Sequence, residues 1–224
     1  MNKLVVALLV CALSLVGAGV ATAGQITSEF LSAGSQSVTA TWSTGSYTGS
    51  AGAFHIVVTD PTGLESLPTQ FDTFCVDLAN SMVTPATAIL DTISNWDHAA
   101  TTTAGKMAAA WLLNNFFANG SGAYGPAAYQ IAIWEALYET SGVFNVTTGN
   151  ATFVTLSAGP DANTLLGLAA GNTVDAGWLR TNVDLNNNGQ DFGAPLSVPD
   201  GGATLMLLGG ALMGLGAMRR KFRG

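Results

Sequence analysis

Hydrophobic positions form nearly unbroken runs at the two ends of the chain and periodic patterns between them. Residues 4–20 and 203–218 are almost wholly apolar. Between them, residues 37–42, 53–59 and 71–78 are β-branched and aromatic runs bounded by Gly, Pro and Asp, a pattern that predicts strands. Shorter β-prone runs occupy 143–147, 152–156 and 178–183. Two segments predict longer helices. Residues 104–119 (AGKMAAAWLLNNFFAN) are Ala-rich with no internal breaker, and residues 126–139 begin with Pro126 at a first-turn position and stop before Gly142. A short helix is predicted over 162–170. The Ser/Thr/Gly-rich stretch 41–52 predicts a long hairpin loop or irregular edge, and 186–193 a loop leading into the C-terminal segment. No internal repeat is visible. Together these elements predict one α+β domain with antiparallel strands and a small helical part, followed by a single C-terminal hydrophobic helix.

The flanks of the two apolar runs say what the runs are for. Met1, Asn2 and Lys3 precede the first, and Ala21-Thr22-Ala23 follows it as a small-x-small cleavage site, which predicts a signal peptide over 1–23 and a partner in signal peptidase. Cys11 lies inside this run after Leu8, Leu9 and Val10, without the small residue that precedes a lipoprotein cysteine, and leaves with the signal peptide. The second run rises about 24 Å as a helix, slightly short of a hydrocarbon core of about 30 Å, so its flanks must help it span. Arg219, Arg220, Lys221 and Arg223 favour a cytoplasmic C-terminus and leave Pro199 outside. Gly209, Gly210, Gly214 and Gly216, with Ala211 and Ala217, form small-residue rows that let helices approach closely. A permanent anchor and a processed signal share these features.

The C-terminal segment resembles the PEP-CTERM class of sorting signals in its VPDGG variant. The resemblance rests on Val198, Pro199, Asp200, Gly201 and Gly202, then the apolar run and the basic end. Asp200 stands where Glu is usual, and Gly201 replaces the second Pro. What the resemblance implies is an exosortase that processes the tail, with a membrane intermediate held by the C-terminal helix. It also implies display at the cell surface or in the extracellular matrix of a Gram-negative-type bacterium that exports exopolysaccharide. The chain thus divides into a signal peptide (1–23), a secreted domain (24–197) and a sorting signal (198–224), the last comprising motif 198–202, helix 203–218 and basic tail 219–224.

Composition changes once the ends are removed. The whole chain carries a formal charge of -7, but residues 24–197 hold thirteen acidic residues against Lys106 and Arg180, a net of -11. Nucleic acid and anionic lipid need a basic footprint, so this domain is suited to neither. Cys75 is the only cysteine after Cys11. With no intramolecular partner, a thiol in an oxidising compartment is buried, paired between chains or chemically used. Gln130 is the second unusual residue. In a helix it shares a stripe with Ile133, Trp134 and Leu137 at i, i+3, i+4 and i+7, where an amide is costly unless satisfied or altered.

Phe74-Cys75-Val76-Asp77, followed by Tyr129-Gln130-Ile131-Ala132-Ile133-Trp134, resembles the two signatures of bacterial thioester domains, found at the tips of Gram-positive surface adhesins. Ala110-Trp111-Leu112-Leu113-Asn114-Asn115 resembles the helix that these domains place before the Gln motif, and the likeness spans residues 45–139. It implies that the Cys75 thiolate attacks the Gln130 carboxamide, expels ammonia and leaves a thioester, with no metal and no cofactor. Phe74, Tyr129 and Trp134 would shield that bond from water, although each also reads as plain core. An amine on a neighbouring surface could then be acylated, as in an adhesin or matrix crosslinker, and the exopolysaccharide matrix is the other expected partner. On this reading the chain is not an enzyme.

Two rivals remain open at this level: a non-reactive structural matrix or biofilm protein with a buried Cys75, and a cysteine hydrolase using His55 or His98 as base. Asp184-Leu185-Asn186-Asn187-Asn188-Gly189 matches the opening of a calcium loop, but Pro195 stands where the bidentate Glu belongs, so a polar loop is preferred. Asp77, Glu135 and Glu139 have no glycosidase-like surroundings and read as solvated or capping groups.

Overall fold

The computed structural model describes residues 23–97, 101–155, 157–181 and 189–196. The signal peptide, the sorting segment with its hydrophobic helix, His98 and residues 184–188 lie outside the described residues. In chain order the elements are β1 (Gly24–Phe30), β2 (Gln36–Trp42), β3 (Gly45–Ala51), β4 (Phe54–Asp60), β5 (Gln70–Thr73) and β6 (Ala86–Thr92). After a 3-10 turn at Ile93–Asn95 come α1 (Thr103–Asn119), α2 (Gly125–Tyr138), β7 (Thr152–Thr155), α3 (Ala158–Ala169), β8 (Gly177–Thr181) and β9 (Phe192–Ala194). No helix among the described residues is long and apolar enough to cross a membrane.

The expected α+β class with antiparallel strands is what these elements build. One sheet runs β5-β4-β1-β6-β8-β9 and a smaller one β3-β2-β7. The larger sheet closes on itself just beyond β5. Val76 N–H donates to Asp191 O and Gly193 N–H to Phe74 O, each at 2.9 Å, and Cys75 faces Phe192 in an antiparallel bridge. Closure leaves no open edge at this seam. Cys75 is therefore held by main-chain bonds on both sides of its own position.

α1 starts at Thr102, whose Oγ1 accepts from Gly105 N–H at 3.0 Å, an N-cap that satisfies one of the first-turn donors. Its first turn crosses α2 closely: a Cβ at Gly105 would lie 2.1 Å from the Ala136 carbonyl oxygen. Pro126 lies in the first turn of α2, as expected. Gln130, Ile133, Trp134 and Leu137 are all buried, and so is every other residue from Ala127 to Tyr138, so the packed surface goes round the whole helix. α1, α3, β3 and β7 all pack on this helix. Ala127, Ala128, Ala132 and Ala136 let those neighbours come near from several sides.

Other departures have local causes. Of the long hairpin loop or irregular edge expected over 41–52, the edge is what forms, and it is regular: β3, at the edge of the small sheet, pairs with β2 from Trp42↔Gly45 to Gln36↔Ala51. Its alternation is carried by exposed Ser46, Thr48 and Ser50 against the half-buried Tyr47, a contrast that hydropathy barely registers. Residues 143–147 are not a strand. Side chains take their backbone donors, with Asn145 N–H on Glu135 Oε1 and Val146 N–H on Asn163 Oδ1. β1, β6 and β9 were not anticipated, the last lying at the end of the expected loop. The short helix begins earlier than expected, at Ala158.

Candidate functional site

Cys75 and Gln130, separated by 55 residues in sequence, meet at the seam of the closed sheet. Cys75 N–H donates to Gln130 Oε1 at 3.1 Å, and Gln130 Nε2 donates to Cys75 O at 2.6 Å. Both residues are wholly buried, and Cys75 is a free thiol. The main-chain groups of Cys75 at the seam are thus completed by a side chain from α2 instead of a strand. A buried amide with both ends engaged is tolerated, and its carbonyl carbon is brought beside the cysteine.

The sulfur has its own partners. Sγ donates to Asp77 O at 2.7 Å and accepts from Asp77 N–H at 3.2 Å. Burial, with the Asp77 charge adding to it, pushes the Cys75 thiol well above the usual cysteine range. The Asp77 N–H and the indole of Trp134 oppose that rise without reversing it. The Trp134 Nε1 is buried and makes no hydrogen bond, so its action on the sulfur is one of proximity.

Around this pair the three expected shielding residues are all in place as core. Phe74 stacks on Tyr129 with ring centroids 5.9 Å apart and meets Phe116 edge-on at 4.6 Å. The Tyr129 hydroxyl donates to Asn115 Oδ1 at 2.5 Å, tying the Gln-bearing helix to α1. Trp134 stacks on Phe153 and meets Tyr47 edge-on at 5.6 Å. Two residues of this surround were not singled out from the sequence. Tyr138 accepts from Leu78 N–H at 2.8 Å and donates to Asp77 Oδ1 at 3.1 Å, fixing the segment that follows Cys75. Tyr47 reaches the site from β3. Nothing in one-dimensional pattern separates either tyrosine from ordinary core aromatics.

Asp77 is a structural hub and not half of an acid pair: its oxygens accept from Tyr138, Ala79 N–H and Asn80 Nδ2. Glu135 and Glu139 lie at the other end of α2 and bind the loop after it. His55 Nδ1 lies 2.7 Å from Asp72 Oδ1 on a partly exposed part of β4 and β5. The Cys75 thiol donates to a carbonyl, with no histidine among its hydrogen-bond partners in the described residues. No group of three or more His, Cys, Asp or Glu among the described residues could hold a metal ion.

No curated protein and no solved structure matches the chain. Residues 197–222 match the family described as the VPDSG-CTERM motif, in which Gly201 of this chain takes the place of Ser. That match covers the C-terminal segment and none of the described domain. It identifies a PEP-CTERM-like sorting signal, and with it an exported surface protein whose tail is read by an exosortase.

Proposed function

We propose that the secreted domain carries an internal Cys75–Gln130 thioester and acts as a covalent, adhesin-like or matrix-crosslinking module at the cell surface. The observation that supports this most is the reciprocal pairing of the Gln130 amide with the Cys75 backbone. Attack of Sγ on Gln130 Cδ forms the S–C bond and puts negative charge on Oε1, which already faces the Cys75 N–H. A main-chain donor aimed at a developing oxyanion is the usual device of acyl-transfer sites. The C–N bond then breaks, and ammonia leaves with the thiol proton. The product is neutral, which suits a site where burial disfavours a thiolate.

In the second half, an amine attacks the same carbon. The C–S bond breaks, the sulfur takes a proton from the amine, and an amide joins Gln130 to the target. Asp77 N–H, already on the sulfur, stabilises the departing thiolate. Each molecule reacts once, so the chain is a reagent and no enzyme. The crosslink would also close a 55-residue loop, which the chain-entropy model for disulfides rates at about 4 kcal/mol.

Mass spectrometry tests this directly. The purified exported protein should be about 17 Da lighter than its sequence mass between mapped termini, the loss of one ammonia. Methylamine should add once, at Gln130, and free the Cys75 thiol. Full mass with an unreactive thiol would instead favour the structural matrix protein, and repeated turnover that depends on His55 or His98 would favour the hydrolase. The tail has its own test: surface protein should lack residues 203–224, and deleting residues 198–202 should trap the full-length chain in the inner membrane. Peptides from the apolar run in surface-released protein would mean that the tail is kept.

A further inference from the structure

A surface cleft of about 520 Å³ is lined on one side by Ser46, Tyr47 and Ser50 of β3 and on the other by the segment 78–82, which follows Cys75 and Asp77 in the chain. Phe30 and Phe54 also line it. We infer that this cleft is the mouth through which the nucleophile reaches Gln130, that Tyr47 is its gate, and that it takes a primary amine on an unbranched aliphatic stem. This rests on the thioester reading.

Three observations place the gate. Tyr47 lines the cleft and also touches the inner wall, meeting the Trp134 ring edge-on at 5.6 Å. Its phenol is raised above the usual tyrosine range, chiefly by burial, as expected of a side chain that reaches inward. The ring is lightly fastened. Among the described residues its hydroxyl bonds only Ser50 of the same strand, donating to the carbonyl and accepting from the N–H, both at 3.2 Å. β3 is moreover an edge strand of the small sheet. A side chain on an edge strand swings out with less disruption than Phe74 or Tyr129, which sit in the aromatic cluster against α1.

The lining also selects the occupant. Among the described residues no Asp, Glu, His, Lys or Arg lines the cleft, and the Tyr47 phenol is raised above its usual range. Asp77, which precedes the lining segment 78–82, has its oxygens engaged by three donors. A hydroxyl is a poor nucleophile until a base removes its proton, whereas an ammonium that has given its extra proton to water attacks as the neutral amine without a base in the cleft. Phe30, Phe54 and Met82 offer apolar contact to a methylene stem. The net charge of -11 over residues 24–197 draws in a cationic amine from a distance.

The test uses the purified exported protein with wild type, Tyr47→Ala, Tyr47→Phe and Ser46→Trp, the last filling the mouth from an exposed position on β3. Probes are methylamine, acetyl-lysine amide and a glucose oligomer. Tyr47→Ala should keep the ammonia loss but capture methylamine and hydrolyse on the order of tenfold faster. Tyr47→Phe, which keeps the ring and loses the fastening, should fall between it and wild type. Ser46→Trp should slow acetyl-lysine amide more than methylamine. If wild type shows no ammonia loss, the thioester reading fails and the gate with it. If the loss is present but all variants capture at the wild-type rate, the thioester stands and this cleft is not its mouth. Faster capture of the glucose oligomer than of the lysine probe would overturn the amine as occupant.

Discussion

Helix α2 carries two buried polar sites, one near its start and one at its end, and they are satisfied in opposite ways. Gln130 is neutral and exchanges hydrogen bonds with the backbone of one residue from a distant strand. Glu135 and Glu139 are acids that collect backbone donors from the loop directly following the helix. Glu139 accepts from Ser141, Asn150 and Ala151 N–H, and Glu135 from Asn145 N–H. The amide end involves no ionisation and sits on the backbone of a cysteine. The acid end titrates and holds a loop. One helix thus separates chemistry from fastening, and pH should act on the second far more than on the first.

The largest effect should come from Gln130→Ala. It strands a buried N–H and C=O on Cys75, at about 3 kcal/mol for the two groups. Any crosslink adds about 4 kcal/mol more by the chain-entropy model. Cys75→Ser separates these contributions, since it removes the crosslink while keeping the backbone pairing. Denaturant unfolding of the two variants should therefore differ, with Gln130→Ala the less stable. Equal losses would mean that the amide pairing contributes nothing and would erase the distinction between the two ends of the helix.

Next in size is Glu139→Ala, which leaves three loop donors without their acceptor, a loss of about 4 kcal/mol. Burial alone would raise the Glu139 pKa, but the hydrogen bonds from Ser141, Ala151 and Asn150 outweigh it and hold the carboxyl below its usual range. Its stabilisation is therefore present above the unfolded pKa and is lost as pH falls through the folded one. Unfolding of wild type and variant should converge in acid. Ammonia loss at Gln130 should be unaffected, and a change there would show that the two sites are coupled.

How much of this was legible in the sequence differs between the same two sites. Cys75 stands out because it is the only cysteine after Cys11, and Gln130 because it sits among apolar residues; both can be named from one dimension. The face shared by Gln130 and Trp134 is there, since both reach Cys75, but it is not the helix's only packed face: Ala-rich α2 is buried all round by neighbours that periodicity does not reveal. Glu135 and Glu139 read as solvated or capping groups, and their capping partners lie in a loop that was expected to be a strand. Tyr47 was hidden because β3 alternates Ser and Thr with Tyr and Gly, a strand pattern of low contrast. β1 and β6 were missed for a related reason: pairing with long-range partners decides them, and local propensity hardly speaks.

Glu135 gives the pH prediction. Its pKa is raised to about 7, chiefly by burial, against the Asn145 hydrogen bond and with help from the Glu139 charge. Its second oxygen is buried and has no hydrogen-bond partner. The raised value means that folding disfavours the charged form. Below the unfolded pKa of 4.5 there is no penalty; between 4.5 and about 7 the penalty grows, and above that it is constant. The full cost is at most about 3 kcal/mol. Glu135→Gln should flatten the fall in stability over that window and raise the thermal midpoint at pH 8. An unchanged pH profile would show that Glu135 ionises freely in the fold.

The smallest effect belongs to His55 and Asp72, and it matters because it serves as a control for both ends of the helix. The pair is short at 2.7 Å, but its side chains are 33% and 50% exposed, so solvent screens it. Such pairs contribute under about 0.5 kcal/mol. His55→Ala should shift unfolding by no more than that, and it should leave ammonia loss and methylamine capture at Gln130 as they are. Under the hydrolase alternative the same substitution would abolish activity while stability stayed constant, because the base would be gone and the fold intact. Measuring capture and stability on one His55→Ala preparation therefore separates a histidine that supports Cys75 from one that merely neighbours Asp72 on the strand surface.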